Sequence, residues 1–174
     1  MIGNDIVDLA LSKKESNWQR KGFLDKIFTL QEQSQIHSSE NQNSMVWSLW
    51  SRKEASYKIY NRESGIRKYN PIQFECLASE NGKVVFENQV YFTRTEITED
   101  YIYSEAVENL YDFERIKNIA RPEKIEKKNG IPSYFDAFHS SIRPISITHH
   151  GRFERIITIT SIPNETLILK KLKL

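Results

Sequence analysis

An aspartate stands inside an apolar run at the start of the chain, in Ile2-Gly3-Asn4-Asp5-Ile6-Val7-Asp8-Leu9. The run is strand-like, so residues 2–9 are expected to form a strand. Asp5 and Val7 then share one face and Ile6 lies on the other. A carboxylate is costly to bury unless it is paired or holds a metal, so the fold must bring a positive group to this strand. A second run offers one: Trp50-Ser51-Arg52-Lys53-Glu54-Ala55-Ser56-Tyr57-Lys58. In a helix, Glu54 and Lys58 are four apart and share a face. Taken alone, each run has a plainer reading. Asp5 is then a hydrogen-bonded aspartate near a strand end, and Glu54–Lys58 an ordinary helix pair worth about 0.2–0.5 kcal/mol. Lys53 beside Glu54, with Trp47 and Trp50 a turn or so back, shifts the weight toward a phosphate site. Two carboxylates with lysines suit a divalent cation gripping a phosphate.

A chain of 174 residues is expected to form one domain, 1–174, with a sizeable core. Its 39% hydrophobic and 28% charged residues are ordinary for a globular protein. A net charge of +2 gives no global field that demands nucleic acid. The charge is uneven: Lys13, Lys14, Arg20, Lys21 and Lys26 stand against Glu15 and Asp25. That stretch is either a solvated helix face or a landing surface for an acidic partner. The single cysteine, Cys76, forbids an intramolecular disulfide, and no cysteine cluster points to zinc, so a cytoplasmic setting is expected. Neither a signal peptide nor a membrane span is expected.

Along the chain, residues 13–38 read as short helices, with Thr29-Leu30-Gln31-Glu32 in the form of a capping box. The next helix is expected at about 44–60, capped by Ser44, with Met45, Val46, Leu49, Trp50, Tyr57 and Tyr60 on a broad apolar face. Gly65 closes it. Residues 71–108 read as β-structure with a turn at Asn81-Gly82. Residues 110–128 read as a charged, helix-compatible stretch interrupted by Pro122. After a turn at Asn129-Gly130-Ile131-Pro132, strands are expected at 143–149 and 152–160, and 165–172 is a last strand or an extension. Thr148-His149-His150-Gly151-Arg152 falls at the turn between those strands. Adjacent histidines on a strand point apart, which disfavours zinc. A hydroxyl, an imidazole and an arginine there suit a phosphate as well as they suit a plain polar hairpin.

Together these segments resemble the phosphopantetheinyl transferase superfamily, of the short holo-acyl-carrier-protein synthase type. Gly3-Asn4-Asp5-Ile6-Val7-Asp8 is similar to its G-x-D-[IV]-[VE] signature, and Trp50 through Lys58 to W-[ST]-x-K-E-[AS]-x-x-K. Phe23 through Glu32 resembles F-x-x-[RK]-[IVF]-[FL]-T-x-x-E. Gly130-Ile131-Pro132 resembles G-K-P, and Ile145-Ser146-Ile147-Thr148-His149 resembles [VI]-S-[IL]-[ST]-H. Residues 83–125 have no counterpart and read as an insertion.

The resemblance implies an α+β fold, an antiparallel sheet packed against a long helix. It implies Mg²⁺-dependent transfer of the phosphopantetheine arm of coenzyme A to a serine of an apo carrier protein. The products are the holo carrier protein and adenosine 3′,5′-bisphosphate. Asp5 and Glu54 would hold the metal, and Lys58 would contact phosphate. Lys53, Thr148 and His149 would meet coenzyme A, the last two near its 3′-phosphate. Glu54 or a metal-bound water would take the serine proton. Three departures stand out. Val7 occupies the position of a second carboxylate, so a water is expected in its place. Ile131 replaces the G-K-P lysine. Leu49-Trp50-Ser51 is closer to the two-halved members of the superfamily. With one copy of each motif, a homo-oligomer is expected, a trimer favoured, with His149 reaching Asp5 and Glu54 from a neighbouring subunit. The partner would be an acidic carrier protein of fatty-acid, polyketide or pigment synthesis. Two rivals are a non-catalytic module that binds coenzyme A or a carrier protein, and another Mg²⁺-dependent phosphotransferase. The second lacks a Gly-rich phosphate loop.

Overall fold

A computed structural model of the chain describes residues 1–77, 82–138 and 140–160. Asn81 and the segment 165–172 lie outside the described residues. The described residues form an α+β fold with antiparallel sheets and a long helix, as expected. The first sheet contains β1 (Ile2–Asp8), β2 (Glu75–Cys76), β3 (Lys83–Phe86), β4 (Gln89–Ile97) and β5 (Tyr101–Val107), in the order β1-β5-β4-β3-β2. The second contains β6 (Ile116–Asn118), β7 (Ile125–Lys128), β8 (Ile131–Asp136), β9 (Ser141–His150) and β10 (Phe153–Ile159), in the order β6-β10-β9-β8-β7.

Helices α1 (Leu9–Glu15), α2 (Phe23–Ile27) and α3 (Leu30–Ser38) follow β1. The capping box forms as expected: Thr29 Oγ1 accepts from the Glu32 N–H at 3.3 Å, and Glu32 Oε2 accepts from the Thr29 N–H at 2.8 Å. The long helix α4 covers Gln42–Ser64, 23 residues, longer at both ends than the 44–60 expected. Its cap is Asn41, whose side chain accepts from the Ser44 N–H, and Gly65 ends it in the left-handed conformation at φ 71°.

The main core lies between α4 and the first sheet. Val46, Leu49, Ala55 and Ile59 on the helix meet Phe74, Val84, Phe86, Tyr91 and Ile102. The Phe74 and Phe86 rings stack with centroids 4.3 Å apart. Gly3 sets how closely β1 approaches this helix: a Cβ there would stand 1.9 Å from the Ala55 carbonyl oxygen. Only a glycine allows that contact without moving backbone. A smaller core of Ile2, Val107, Ile116 and Ile157 joins the two sheets.

The helix-compatible reading of 110–128 is corrected by the structure. Leu110–Arg115 is a short 3-10 helix, and β6 and β7 follow. The lysines and glutamates of this stretch suit a helix by propensity, but β6 pairs with β10 and β7 pairs with β8, and tertiary pairing prevails over propensity. Residues 83–125 are thus divided: the first part completes the first sheet and the last part begins the second.

Lys53 is also corrected. It points into the core, where its Nζ donates to Glu32 Oε2 at 2.7 Å and to the Pro71 carbonyl at 3.0 Å. Both side chains of the ion pair are 0% exposed, and Glu32 Oε1 accepts from the Cys76 N–H at 2.7 Å. Lys53 therefore ties α4 to α3 and does not face a ligand. Removing one member of a fully buried ion pair strands the other. Lys53→Met should lower unfolding free energy by about 3–5 kcal/mol. Denaturant melts check it.

Candidate active site

Strand β1 delivers Asp5, and α4 delivers Glu54 and Lys58 beside it. Ser51 Oγ donates to the Asp5 carbonyl at 3.2 Å, pinning the strand to the helix. Lys58 Nζ donates to the Asn4 carbonyl at 2.6 Å and to the Ile147 carbonyl at 3.3 Å, and lies 3.7 Å from Asp5 Oδ1. One ammonium group thus joins β1, β9 and α4. This is the positive partner that a carboxylate in β1 requires.

Asp5 Oδ1 also accepts from Thr148 Oγ1 at 3.2 Å, whereas Asp5 Oδ2 is buried without a hydrogen-bond partner. Burial raises the Asp5 pKa, opposed by Lys58 and by the Thr148 and Ser51 hydroxyls. The Glu54 carboxyl is pushed up to about 7, first by burial and then by the charge of Asp5, with Lys58 pulling the other way. Two carboxyls raised by burial, one of them also by the charge of the other and one with an unused buried oxygen, are suited to a shared cation. No group of three or more histidine, cysteine or acidic residues with metal-holding geometry occurs among the described residues. The donor set is hard oxygen with room for water, which fits Mg²⁺ and not zinc. Val7 is in the core, and Asp8 is engaged elsewhere: it caps α1 and accepts from Arg152 Nε at 2.9 Å and Nη2 at 3.0 Å. Neither reaches the pair as a third protein ligand.

Asp5 and Glu54 line a cavity of about 280 Å³ with Ser12, Ser16, Trp50 and His149. His149 also lines a second cavity, of about 380 Å³, together with Lys58, Arg62, Arg121, Lys127 and the Gly130–Pro132 turn. The two cavities adjoin at this histidine. The second is rich in cations, and no aspartate or glutamate lines it. It has the electrostatics of a polyanion site. The expectation that His149 comes from a neighbouring subunit differs from this arrangement: the same chain's β9 carries His149 to the cavity of Asp5 and Glu54. The second sheet, which the sequence reading did not separate from the first, makes this possible.

Of the residues predicted from sequence, Asp5, Glu54, Lys58, Thr148 and His149 come together, and Lys53 does not. The Thr148 hydroxyl faces β1, accepting from the Ile6 N–H at 3.0 Å and donating to Asp5. Sequence reasoning missed Arg62, Arg121 and Lys127. Arg62 had a signal, since it stands four residues after Lys58 on the same helix face. Arg121 and Lys127 were hidden in the stretch read as helix.

Residues 1–109 match the 4'-phosphopantetheinyl transferase superfamily. The chain belongs to this superfamily. Solved structures similar to this transferase-family chain include a Chronobacterium ammoniagenes ACPS–CoA complex, 15% identical over 60% of this chain and 93% of that one, TM-score 0.48. Others are a holo-(acyl-carrier-protein) synthase from Bacillus anthracis str. Ames in complex with CoA, 15% identical over 60% and 91%, TM-score 0.46, and the Thermotoga maritima holo-[acyl-carrier-protein] synthase, 15% identical over 98% and 88%, TM-score 0.45. No curated protein matches the chain.

Glu54 gives a pH signature. Its folded pKa, about 7, stands above the ordinary value of 4.5. The unfolded state therefore ionises first, and the metal-free protein should lose stability as pH rises from about 4.5 to about 7. Glu54→Gln should remove that part of the loss. Denaturant melts at a series of pH values check it, and a pH slope equal in both proteins would contradict it.

Proposed function

We propose that the protein transfers the phosphopantetheine arm of coenzyme A to a serine hydroxyl of an apo carrier protein, giving the holo carrier protein and adenosine 3′,5′-bisphosphate. The observation that carries this reading is the junction at His149, where a carboxylate pair with an unused buried oxygen meets a groove lined by Lys58, Arg62, Lys127 and Arg121, the last also paired with Glu154. Family membership supports the same chemistry.

The groove takes the phosphates of coenzyme A against Arg62, Arg121, Lys127 and His149. With Ile131 in place of the G-K-P lysine, Lys127 supplies a cation from the adjacent strand: it stands opposite Pro132 in the β7–β8 ladder. Asp5 and Glu54 would hold Mg²⁺, which when bound would neutralise charge on the diphosphate. Lys58, fixed between β1 and β9, orients the diphosphate. The serine oxygen bonds to the phosphorus that carries pantetheine, and the bond from that phosphorus to the bridging oxygen breaks. Adenosine 3′,5′-bisphosphate leaves with the electron pair. The serine proton passes to Glu54 or to a water beside it.

In this reading Asp5, Glu54, Lys58 and His149 of one chain act together, so the transfer does not require a residue from a neighbouring subunit. Helix α1 and the Ser16 that caps its C-terminus contribute Ser12 and Ser16 to the carboxylate cavity, and the helix carries exposed Lys13 and Lys14. Arg20 and Lys21 are exposed between α1 and α2. An acidic carrier protein landing there would bring its serine to that cavity. No helix among the described residues is long and apolar enough to cross a membrane. The buried free thiol of Cys76 suits the cytoplasm.

With Mg²⁺, coenzyme A and candidate apo carrier proteins, mass spectrometry should show the added arm. Asp5→Ala and Glu54→Ala should each lower turnover by about 100-fold or more, with circular dichroism unchanged. Near-normal turnover of either variant at limiting Mg²⁺ would contradict the metal assignment. Coenzyme A binding without transfer to any carrier would indicate a binding module.

Docking through the basic surface should act mainly on encounter and weaken with salt. Lys14→Glu with Lys21→Glu should raise the apparent KM for the carrier several-fold, about 1 kcal/mol, and leave that for coenzyme A nearly unchanged. Equal changes in both constants would place the docking surface elsewhere.

A further inference from the structure

Strand β9 meets β1 without a backbone ladder between them. Its side chains do the pairing. Ser146 Oγ accepts from the Asn4 N–H at 3.1 Å, Thr148 Oγ1 from the Ile6 N–H at 3.0 Å, and His150 Nδ1 from the Asp8 N–H at 2.8 Å. The three rungs advance two residues at a time on both strands, and of these three side chains the Thr148 hydroxyl also donates to a carboxylate of the site, Asp5 Oδ1 at 3.2 Å.

A threonine hydroxyl has one hydrogen to donate. Here it goes to Asp5, and a lone pair takes the Ile6 N–H. Thr148 is buried, 5% exposed, and so is fixed on both sides. Asp5 Oδ1 is thereby held by Thr148 and Lys58, while Asp5 Oδ2 is left buried and unpartnered. A carboxylate gripped through one oxygen presents the other in a defined direction. Groups that hold a metal ligand in this way govern metal affinity although they do not touch the ion.

We propose that Thr148 is a positioning residue: its hydroxyl orients the Asp5 carboxylate so that Oδ2 is presented to the divalent cation shared with Glu54. This rests on the reading of Asp5 and Glu54 as a cation pair. It assigns Thr148 to the metal side of the site and not to the phosphates of coenzyme A.

The test is Mn²⁺ binding to the full chain without coenzyme A, followed by electron paramagnetic resonance, in wild type, Thr148→Val, Thr148→Ser, Ser146→Ala and Asp5→Ala. Thr148→Val keeps the shape and removes the hydroxyl, and should raise the Kd for Mn²⁺ by about 10-fold. Thr148→Ser restores the hydroxyl and should stay within about threefold of wild type. Ser146→Ala removes a rung of the same kind that has no contact with Asp5. It should lower the melting temperature without a comparable loss of Mn²⁺ affinity. Should Thr148→Val fail to fold, Thr148→Ala makes the same comparison. Unchanged Mn²⁺ affinity in the hydroxyl-free variant overturns the proposal. So does equal weakening by Ser146→Ala, or a wild type whose Mn²⁺ binding is indifferent to Asp5→Ala. Arm transfer, assayed in parallel on wild type, separates the two readings. Absence of transfer with the predicted Mn²⁺ order overturns the transferase reading and supports this one. Transfer with no Thr148 effect overturns this one alone.

Discussion

Everything at the candidate site depends on how β1 is held. On one side it is an ordinary strand, paired with β5 from Ile2 to Asp8. On the other it meets β9 through side chains, Ser146, Thr148 and His150 accepting from alternate N–H groups. An unmatched buried N–H costs about 1–3 kcal/mol, so these three acceptors are part of the structural requirement of the strand. The arrangement also leaves room that a backbone ladder would not. With β9 set back by the length of a side chain, Lys58 reaches between the strands to the Asn4 and Ile147 carbonyls. His149, on the opposite side of β9 from the rungs, faces the cavities.

The buried charges of this chain divide by how fully they are satisfied. Glu32 and Lys53 are well satisfied: the carboxylate has three donors, and the ammonium has an oxygen from each of two partners. Asp8 is saturated by Arg152 and the start of α1, and these contacts hold its pKa well below the usual carboxylate range. The β9–β10 turn packs so closely there that a Cβ on Gly151 would stand 2.5 Å from Asp8 Oδ2. Asp5 and Glu54 differ. They have fewer donors than oxygens, they face a cavity, and burial raises the pKa of both. A fold concerned only with stability would complete or neutralise such a pair. Strongly perturbed carboxyls in a cleft have a physical reason to be functional candidates, and in the proposed reading the missing partner is a cation.

Much of this was legible in the sequence because it is local. Strand β1, the capping box at Thr29 and Glu32, the long helix through Glu54 and Lys58, and the strand pair carrying His149 each follow from periodicity and punctuation within a few residues. The superfamily followed from the same segments. The stretch 110–128 was not legible, because short charged strands such as β7 take their conformation from the neighbours they pair with, and their own lysines and glutamates suggest a helix. Its misreading concealed Arg121 and Lys127, which line the second cavity. Lys53 was misassigned for a related reason. Adjacent helix residues point about 100° apart, and the sequence does not say which of Lys53 and Lys58 faces the core.

The sequence by itself placed the groups proposed here to carry the chemistry: Asp5 in a strand, and Glu54 and Lys58 on one turn-to-turn face of a helix. Those facts are set by backbone periods that any chain obeys. Only the tertiary structure decided which of the neighbouring charges is spent on the core. It seated β1 on α4 at Gly3, turned Thr148 toward Asp5, and placed a second sheet beside the first so that His149 and a basic groove meet the carboxylate pair in one chain. Those outcomes depend on contacts between residues some 50 to 140 positions apart, made by packing and long-range hydrogen bonds for which the sequence has no period.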